Sequence, residues 1–585
     1  MSKSSSGRHR WLALLTVALL ALSGCGVPDS GPAVRYGKAR SDSGSDGEAV
    51  FVPPKPAVAR DPVELVQGYL QAANGTAENM REQVKEYFTE LGKGTWQQGS
   101  GNPLVIHGAL KLDFKTVVDY PRAKVTLTGD IIGSLNGGYL DRSQAQAGYS
   151  YSFNLISERR GGRQQWVIAN PPPGMLLSVD SMLHGYELRP VYFLASGDRQ
   201  TLVPDMRYMP KSVSRTTCNQ LLVNWLLGGP SPYVSGAVNS ALPVGTELRG
   251  VPVMSSGVTV VNLSSKADLP DVFDAMSAQL AWTLQAGSLE LRVDGRPKPF
   301  RGAKVREYDG FKDWNPAVTR PVPQPFAIAQ GKVVPVRRPE QESEPVVPAL
   351  LSHMPVDDVR WAATLFGKAA VVSASGELWV GRATQAGDPQ YGVAQQIKQA
   401  PTSPPQLIQA GGSTQVLVGI GPSLAIVDAV RLGLDAIEVA GTYPGSGDIT
   451  SVSIAPDGRR IVFVRAGQVY AGVLSGNNLL RAWPIAAPLS YVASVAWDSE
   501  LCVIVSGIGR STADGTPATS LWRATFDGML IEAVGGQLTG APGVVAAFVP
   551  PPGMGCDPLV EIEGRVYSVR SSGNVTHGSA PFYAG

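Results

Sequence analysis

Histidine, cysteine and charge are all scarce in this chain: five histidines, four cysteines and 17% charged residues over 585 positions, where an ordinary globular protein carries about 25% charge. The histidines (His9, His107, His184, His353 and His577) stand far apart, so no His-x-x-x-His pair exists to hold a metalloprotease zinc. There is no Cys-x-x-Cys, no Gly-x-Ser-x-Gly nucleophile elbow and no Gly-x-x-x-x-Gly-Lys-[Ser/Thr] phosphate loop. No apolar run reaches the roughly 20 residues that a lone membrane-crossing helix needs. The net charge of +2 declares no basic face, which argues against nucleic acid as a partner. These absences remove the usual signatures of catalysis. The chain is read as a non-enzyme with no catalytic residues, no metal and no cofactor.

Glycine and proline, in contrast, are plentiful, at about 19% together against about 12% in average usage. That many turn formers point to β-structure. Hydrophobic residues at 43% allow real cores, and the length suggests several domains.

The N-terminus has its own layout. Lys3, Arg8 and Arg10 precede an uncharged, mostly apolar run from Trp11 to Leu22, and then Leu22-Ser23-Gly24-Cys25. A charged start, a short apolar middle and small residues at the end form a secretory signal. The last four residues resemble a bacterial lipobox. That resemblance implies cleavage before Cys25, which would carry an S-diacylglycerol and an N-acyl group. Each buried lipid methylene would then contribute about 0.8 kcal/mol to membrane attachment. Residues 26–60 are rich in Gly, Ser, Pro and charge, too polar to bury a core. The reading is a signal peptide over 1–24 and a lipidated, flexible tether over 25–60.

The first folded unit is expected over 61–187. Asp61 as N-cap, Pro62 at the first helical position and Glu64 close behind open a helix, with Val63, Val66, Tyr69, Leu70 and Ala73 on one face. A second helix presents Met80, Val84, Tyr87 and Phe88. Four alternating runs between Leu110 and Pro172 then predict an antiparallel sheet covered on one face by these helices. The arrangement resembles the α+β cones of the cystatin-like or nuclear-transport-factor-like group. The second unit, 188–298, alternates strands with two amphipathic helices around Leu222–Leu226 and Met276–Leu284. Leu226-Leu227-Gly228-Gly229-Pro230, Ala241-Leu242-Pro243 with Gly245-Thr246, and Val260-Val261-Asn262-Leu263-Ser264-Ser265 occur in order. They resemble the GerM-type module of sporulation and germination proteins, an α+β interaction domain. Residues 299–349 read as a Pro-rich linker that contains one strand pair, Phe326–Arg337.

From 350 to 585 the chain repeats short strands and tight turns, and such sheets must pack radially to bury both faces. The expectation is an all-β propeller of about five or six blades, with five repeats visible and Phe326–Arg337 either supplying strands of a sixth or helping to close the ring. Trp379, Tyr470, Trp522 and Tyr567 occupy matching places in their repeats, either as packing between sheets or as an aromatic rim. Asp457-Gly458 and Asp527-Gly528 read as hairpin turns rather than calcium ligands. Cys218 lies in a helix as a buried thiol, and Cys502 with Cys556 is the candidate disulfide.

Taken in order, these parts resemble the LpqB family of actinobacterial lipoproteins. The resemblance implies a protein on the extracytoplasmic face of the cell membrane, held by its lipid. It also implies binding to the outer domain of the sensor kinase of the MtrA–MtrB two-component system, with effects on cell-wall upkeep and division. The competing reading is an envelope carbohydrate-binding or hydrolytic protein that uses the propeller funnel or the pocket of the first unit. The anchor is directly testable: Cys25→Ser should abolish incorporation of labelled palmitate and leave the folded body intact. Equal labelling of variant and parent would contradict the assignment.

Overall fold

The computed structural model describes residues 55–584, apart from 57–58, 60, 74–76, 97–101, 118–119, 199, 300–302, 338–344, 384–388, 394–399, 411–412, 430–435, 511–516, 535–542, 552–553 and 570–574. The lipobox and residues 25–54 of the tether lie outside the described residues. Among the described residues no helix is long and apolar enough to cross a membrane. The described residues belong to one compact unit.

The first part opens as expected. The Asp61 carboxylate accepts from the Val63 and Glu64 N–H groups at 2.8 and 2.9 Å, starting α1 (Pro62–Ala72), which is followed by α2 (Ala77–Lys85) and α3 (Glu90–Thr95). The strands β1 (Leu104–Val117), β2 (Tyr120–Asn136), β3 (Tyr139–Asp141), β4 (Gln146–Arg160), β5 (Arg163–Ile168) and β6 (Leu176–Ser178) form one sheet. Its order is β5-β4-β2-β1-β6, with β3 beside β2 and only β6 parallel to its neighbour. Leu65, Val66 and Tyr69 of α1 and Val84, Tyr87 and Phe88 from the second stripe are buried. Tyr69 packs on Phe88 and Phe153, both with ring centroids 5.7 Å away.

Helix α4 (Val179–Gly185) leads directly into the second part. There β7 (Tyr186–Ala195) and β8 (Leu202–Pro210) form a hairpin that pairs with β9 (Val238–Asn239), and α5 (Arg215–Leu227) packs on α6 (Phe273–Leu284). The strands β10 (Val253–Ser255), β11 (Val258–Leu263), β12 (Ser288–Val293), β13 (Arg296–Pro297) and β14 (Arg306–Glu307) make its second sheet. Residues beyond 298 stay packed on this unit. β14 pairs with β12, and Phe311, fully buried, accepts the Trp282 indole N–H on its carbonyl at 2.8 Å. One glycine docks the first two parts. Gly138, at φ +78°, lies so close under Trp225 that a Cβ there would stand 2.8 Å from the indole. Its carbonyl accepts the Tyr208 N–H at 2.6 Å.

Six successive sheets follow, antiparallel throughout except where Ala440–Gly441 joins the edge of the fourth in parallel. The strand pair within 299–349, Gln324–Ala329 and Lys332–Pro335, supplies the strands of a sixth sheet: it joins Ser579–Ala584 from the far end of the chain to make sheet I. Sheets II, III, IV, V and VI begin with Val359–Leu365, Gln406–Ala410, Ile449–Ile454, Ser490–Trp497 and Val545–Ala546, each followed by its own neighbouring strands. These first strands touch one another in sequence. Val545–Ala546 then meets Ser579–Ala584, which meets Val359–Leu365 and closes the circuit. Hydroxyls clip one inner strand to the next: Ser451 Oγ accepts the Val495 N–H, and Ser453 Oγ accepts the Trp497 N–H, both at 3.2 Å. The second part and sheets IV and V share a single apolar core, in which Tyr233 meets Trp483 edge-on at 5.1 Å.

The expected Cys502–Cys556 bridge is not formed. Cys502 begins a strand of sheet V, opposite Thr525. Cys556 precedes the second strand of sheet VI, where its sulfur lies 3.5 Å from the Phe548 N–H. Nearness in sequence was a poor guide, because the two residues belong to different sheets. Both are buried, as is Cys218.

Candidate functional site

A channel of about 160 Å³ runs between the six inner strands, and every sheet lines it, for instance through Phe582, Trp361, Leu407, Ser453, Trp497 and Ala547. Its described lining holds no Asp, Glu, His or Cys, and Arg320 is its one charged residue. Arg320 reaches it from the segment that links the second part to sheet I. That segment starts at Asn315, whose carbonyl Oδ1 caps the short helix Pro316–Thr319 by accepting the Ala317 N–H at 2.9 Å. A second hollow, of about 290 Å³, beside Pro348, Thr364 and Gly367 is open to solvent and has no ionisable side chain in its lining.

Away from the channel lining, two buried acids bind the parts together. Glu500, on the turn after the inner strand of sheet V, accepts the Tyr192 hydroxyl at 2.7 Å and the Asn315 amide at 2.7 Å. Its backbone carbonyl accepts from Arg460 at 2.5 Å. Arg460 is itself paired with Asp457 at 2.7 Å, both nearly fully buried, and lies 4.8 Å over the Trp497 ring. Asp527 accepts the Tyr208 hydroxyl at 3.0 Å, its own Thr525 hydroxyl at 2.7 Å and the Met529 N–H at 2.9 Å. The Asp527 backbone carbonyl accepts Arg142 of the first part at 2.7 Å. Burial pushes both carboxyls up from their ordinary values, against the pull of these donors. The two tyrosines are pushed up as well, by burial first and by the neighbouring acids second.

The residues singled out in the sequence fall into place unevenly. Trp379, Tyr470, Trp522 and Tyr567 all lie on the third strand of their sheets and pack into cores between sheets, none of them in the channel lining. Tyr470, for example, stacks on Phe463 at 5.6 Å. Asp457 and Asp527 do close hairpin turns, and their carboxylates are engaged there by N–H groups and by Arg460 or Tyr208. Glu500, Tyr192, Tyr208, Arg142 and Arg320 carried no sequence signal. Each joins a partner far away in the chain, and no local spacing encodes such a pair. Cys25 lies outside the described residues.

Comparison with known proteins matches the two N-terminal parts to separate families. Residues 55–182 match the model described as the N-terminal domain of lipoprotein LpqB. Residues 190–299 match the model described as sporulation and spore germination. The lipoprotein LpqB of Thermobifida fusca (strain YX) is 28% identical over 369 residues, covering 59% of this chain and 56% of that protein. The lipoprotein LpqB of Mycobacterium leprae (strain TN) is 24% identical over 548 residues, 85% of each. The chain thus spans little more than half of the Thermobifida protein and most of the mycobacterial one. Among solved structures, the tandem GerMN domains of GerM from Bacillus subtilis are 18% identical, with a TM-score of 0.17, over 21% of this chain and 45% of that one. At that score the likeness adds nothing to the fold. The module resembling GerM is present where the motifs placed it, and the relatives carry a lipoprotein name rather than an enzyme name.

The buried acid at position 500 makes a sign-definite prediction. A carboxyl whose folded pKa is raised holds its proton to higher pH in the folded state, so its contribution to stability falls as pH rises above the ordinary carboxylate range. Glu500→Gln keeps an acceptor for Asn315 and a donor for the Tyr192 oxygen and should fold at neutral pH. The stability of the parent relative to Glu500→Gln should grow as pH is lowered from neutral. Glu500→Ala strands both donors and should cost about 1–3 kcal/mol. Urea unfolding at several pH values checks both outcomes.

Proposed function

The chain belongs to the LpqB lipoprotein family, and from that premise we propose that it is a lipid-anchored binding protein of the cell envelope that engages the extracytoplasmic domain of an MtrB-like sensor kinase. In this reading Cys25 fixes the protein to the outer face of the cell membrane and residues 26–60 act as the tether. The six sheets are the blades of a β-propeller, and the first part is a cone-shaped sheet of the cystatin-like or nuclear-transport-factor-like kind. The supporting observation is the joining of three parts, two of them matched to named modules, by buried side-chain bonds into one body. A body with a fixed outline presents one surface to a partner without the cost of ordering domains on binding.

Hydrolysis of envelope glycans is the weaker reading. Glycoside hydrolysis ordinarily needs two facing carboxyl groups, and the described lining of the channel supplies none. Purified full-length protein should bind the purified kinase ectodomain saturably in a titration, and deletion should change phosphorylation of the response regulator in cells. Absence of binding together with unchanged phosphorylation would remove the proposal.

A further inference from the structure

The channel holds a cation for which the fold provides almost nothing. Arg320 is half-buried at the end of the channel where the inner strand of sheet IV runs out at Ile454, beside Pro456. A guanidinium carries five N–H donors. Among the described residues, Arg320 uses one of them, in a long 3.5 Å bond to the Pro456 carbonyl. Its neighbouring acid, Asp457, is committed to Arg460 at 2.7 and 2.9 Å and to two N–H groups of its own turn. Burial pushes the Arg320 guanidinium down to about 10, which leaves it fully charged at neutral pH.

Other polar side chains of the lining are already engaged. Ser494 donates to the Val545 carbonyl, Trp497 to the Ser453 carbonyl, Thr364 to the Lys368 carbonyl and Tyr583 to the Asp557 carbonyl. Arg320 is also held in place. Asn315, five residues before it, is tied to Glu500. Pro321 and Pro323 follow it, each with a ring-restricted φ. A charge with one long hydrogen bond, whose neighbouring acid Asp457 is shared with Arg460, costs stability in a partly apolar cavity.

We propose that the channel is a binding site for a small organic anion, in which a carboxylate or phosphate pairs with Arg320 and a compact apolar body lies against the inner strands. The chemistry of the lining supports both halves of the ligand. Arg presents a planar fork that fits carboxylate and phosphate oxygens in bidentate fashion. Trp361, Leu407, Val452, Val495 and Phe582 offer apolar and aromatic surface. The size fits one ring: an apolar cavity of about 150 Å³ accommodates benzene, and this one measures about 160 Å³.

The test is a titration of the full chain in detergent with benzoate, phenyl phosphate, benzyl alcohol and benzylamine, each referenced to detergent alone. At least one of the two anions should bind tenfold or more tightly than benzyl alcohol, and benzylamine should bind no better than the alcohol. The order of benzoate and phenyl phosphate tells which head group the site prefers. Arg320→Gln should erase the preference for the anion, and Arg320→Lys should keep part of it, with melting temperatures showing that both variants fold. Ala547→Leu, which narrows the channel and leaves Arg320 in place, should weaken anion binding independently. Equal affinity for anion and alcohol, anion binding that survives Arg320→Gln, or no binding of either anion would each overturn the proposal. The kinase-binding reading stands or falls separately, since it requires nothing of the channel.

Discussion

The buried carboxylate of Asp527 is the point on which the arrangement of the folded parts depends. An acid removed from water costs several kcal/mol unless donors replace its hydration. Here the donors come from different parts of the chain. Thr525 and Met529 of the same turn satisfy some of the lone pairs, and Tyr208 of the second part supplies its hydroxyl. Arg142 of the first part grips the backbone carbonyl of the same residue. Moving any one part away would leave a buried polar group without its partner. Glu500 repeats the device with Tyr192 and Asn315. The apolar core shared by the second part and sheets IV and V supplies bulk stabilisation, and the two acids fix the angle at which that core closes.

Closure of the sheets acts in the same direction. The last strand, Ser579–Ala584, pairs with Gln324–Ala329, so the end of the chain is stitched to the segment that leaves the second part. The route from the second part into sheet I passes Asn315 and Arg320. The residues that anchor this crossing are thereby the ones that place a cation at the end of the channel. The Glu500 contact and the channel's cation thus share one short stretch, in which a cap, a short helix and the two prolines after Arg320 leave little freedom.

Much of the architecture was legible in local patterns. The N-cap at Asp61, the stripe Met80-Val84-Tyr87-Phe88 and the helix around Leu222–Leu226 follow from side-chain periodicity, and periodicity is a local property. The Asp-Gly turns at 457 and 527 were visible as turns for the same reason. Their second role was not, because Tyr208 and Asp527 stand 319 positions apart and nothing local marks the pair. Arg320 was hidden in a stretch that reads as Pro-rich linker, and its importance comes only from the strands that gather around it. The cysteines show the reverse error: Cys502 and Cys556 looked related through position in the chain, but strand pairing sends them to different sheets.

The central claim is that the second part and the six sheets are a single structural unit, held by a common core and by buried acids. Differential scanning calorimetry of the full chain tests this most directly. The account predicts one cooperative transition for these parts, with the calorimetric enthalpy equal to the van't Hoff enthalpy. Two resolved transitions, one with the enthalpy of a domain the size of the second part and one matching the sheets, would contradict it.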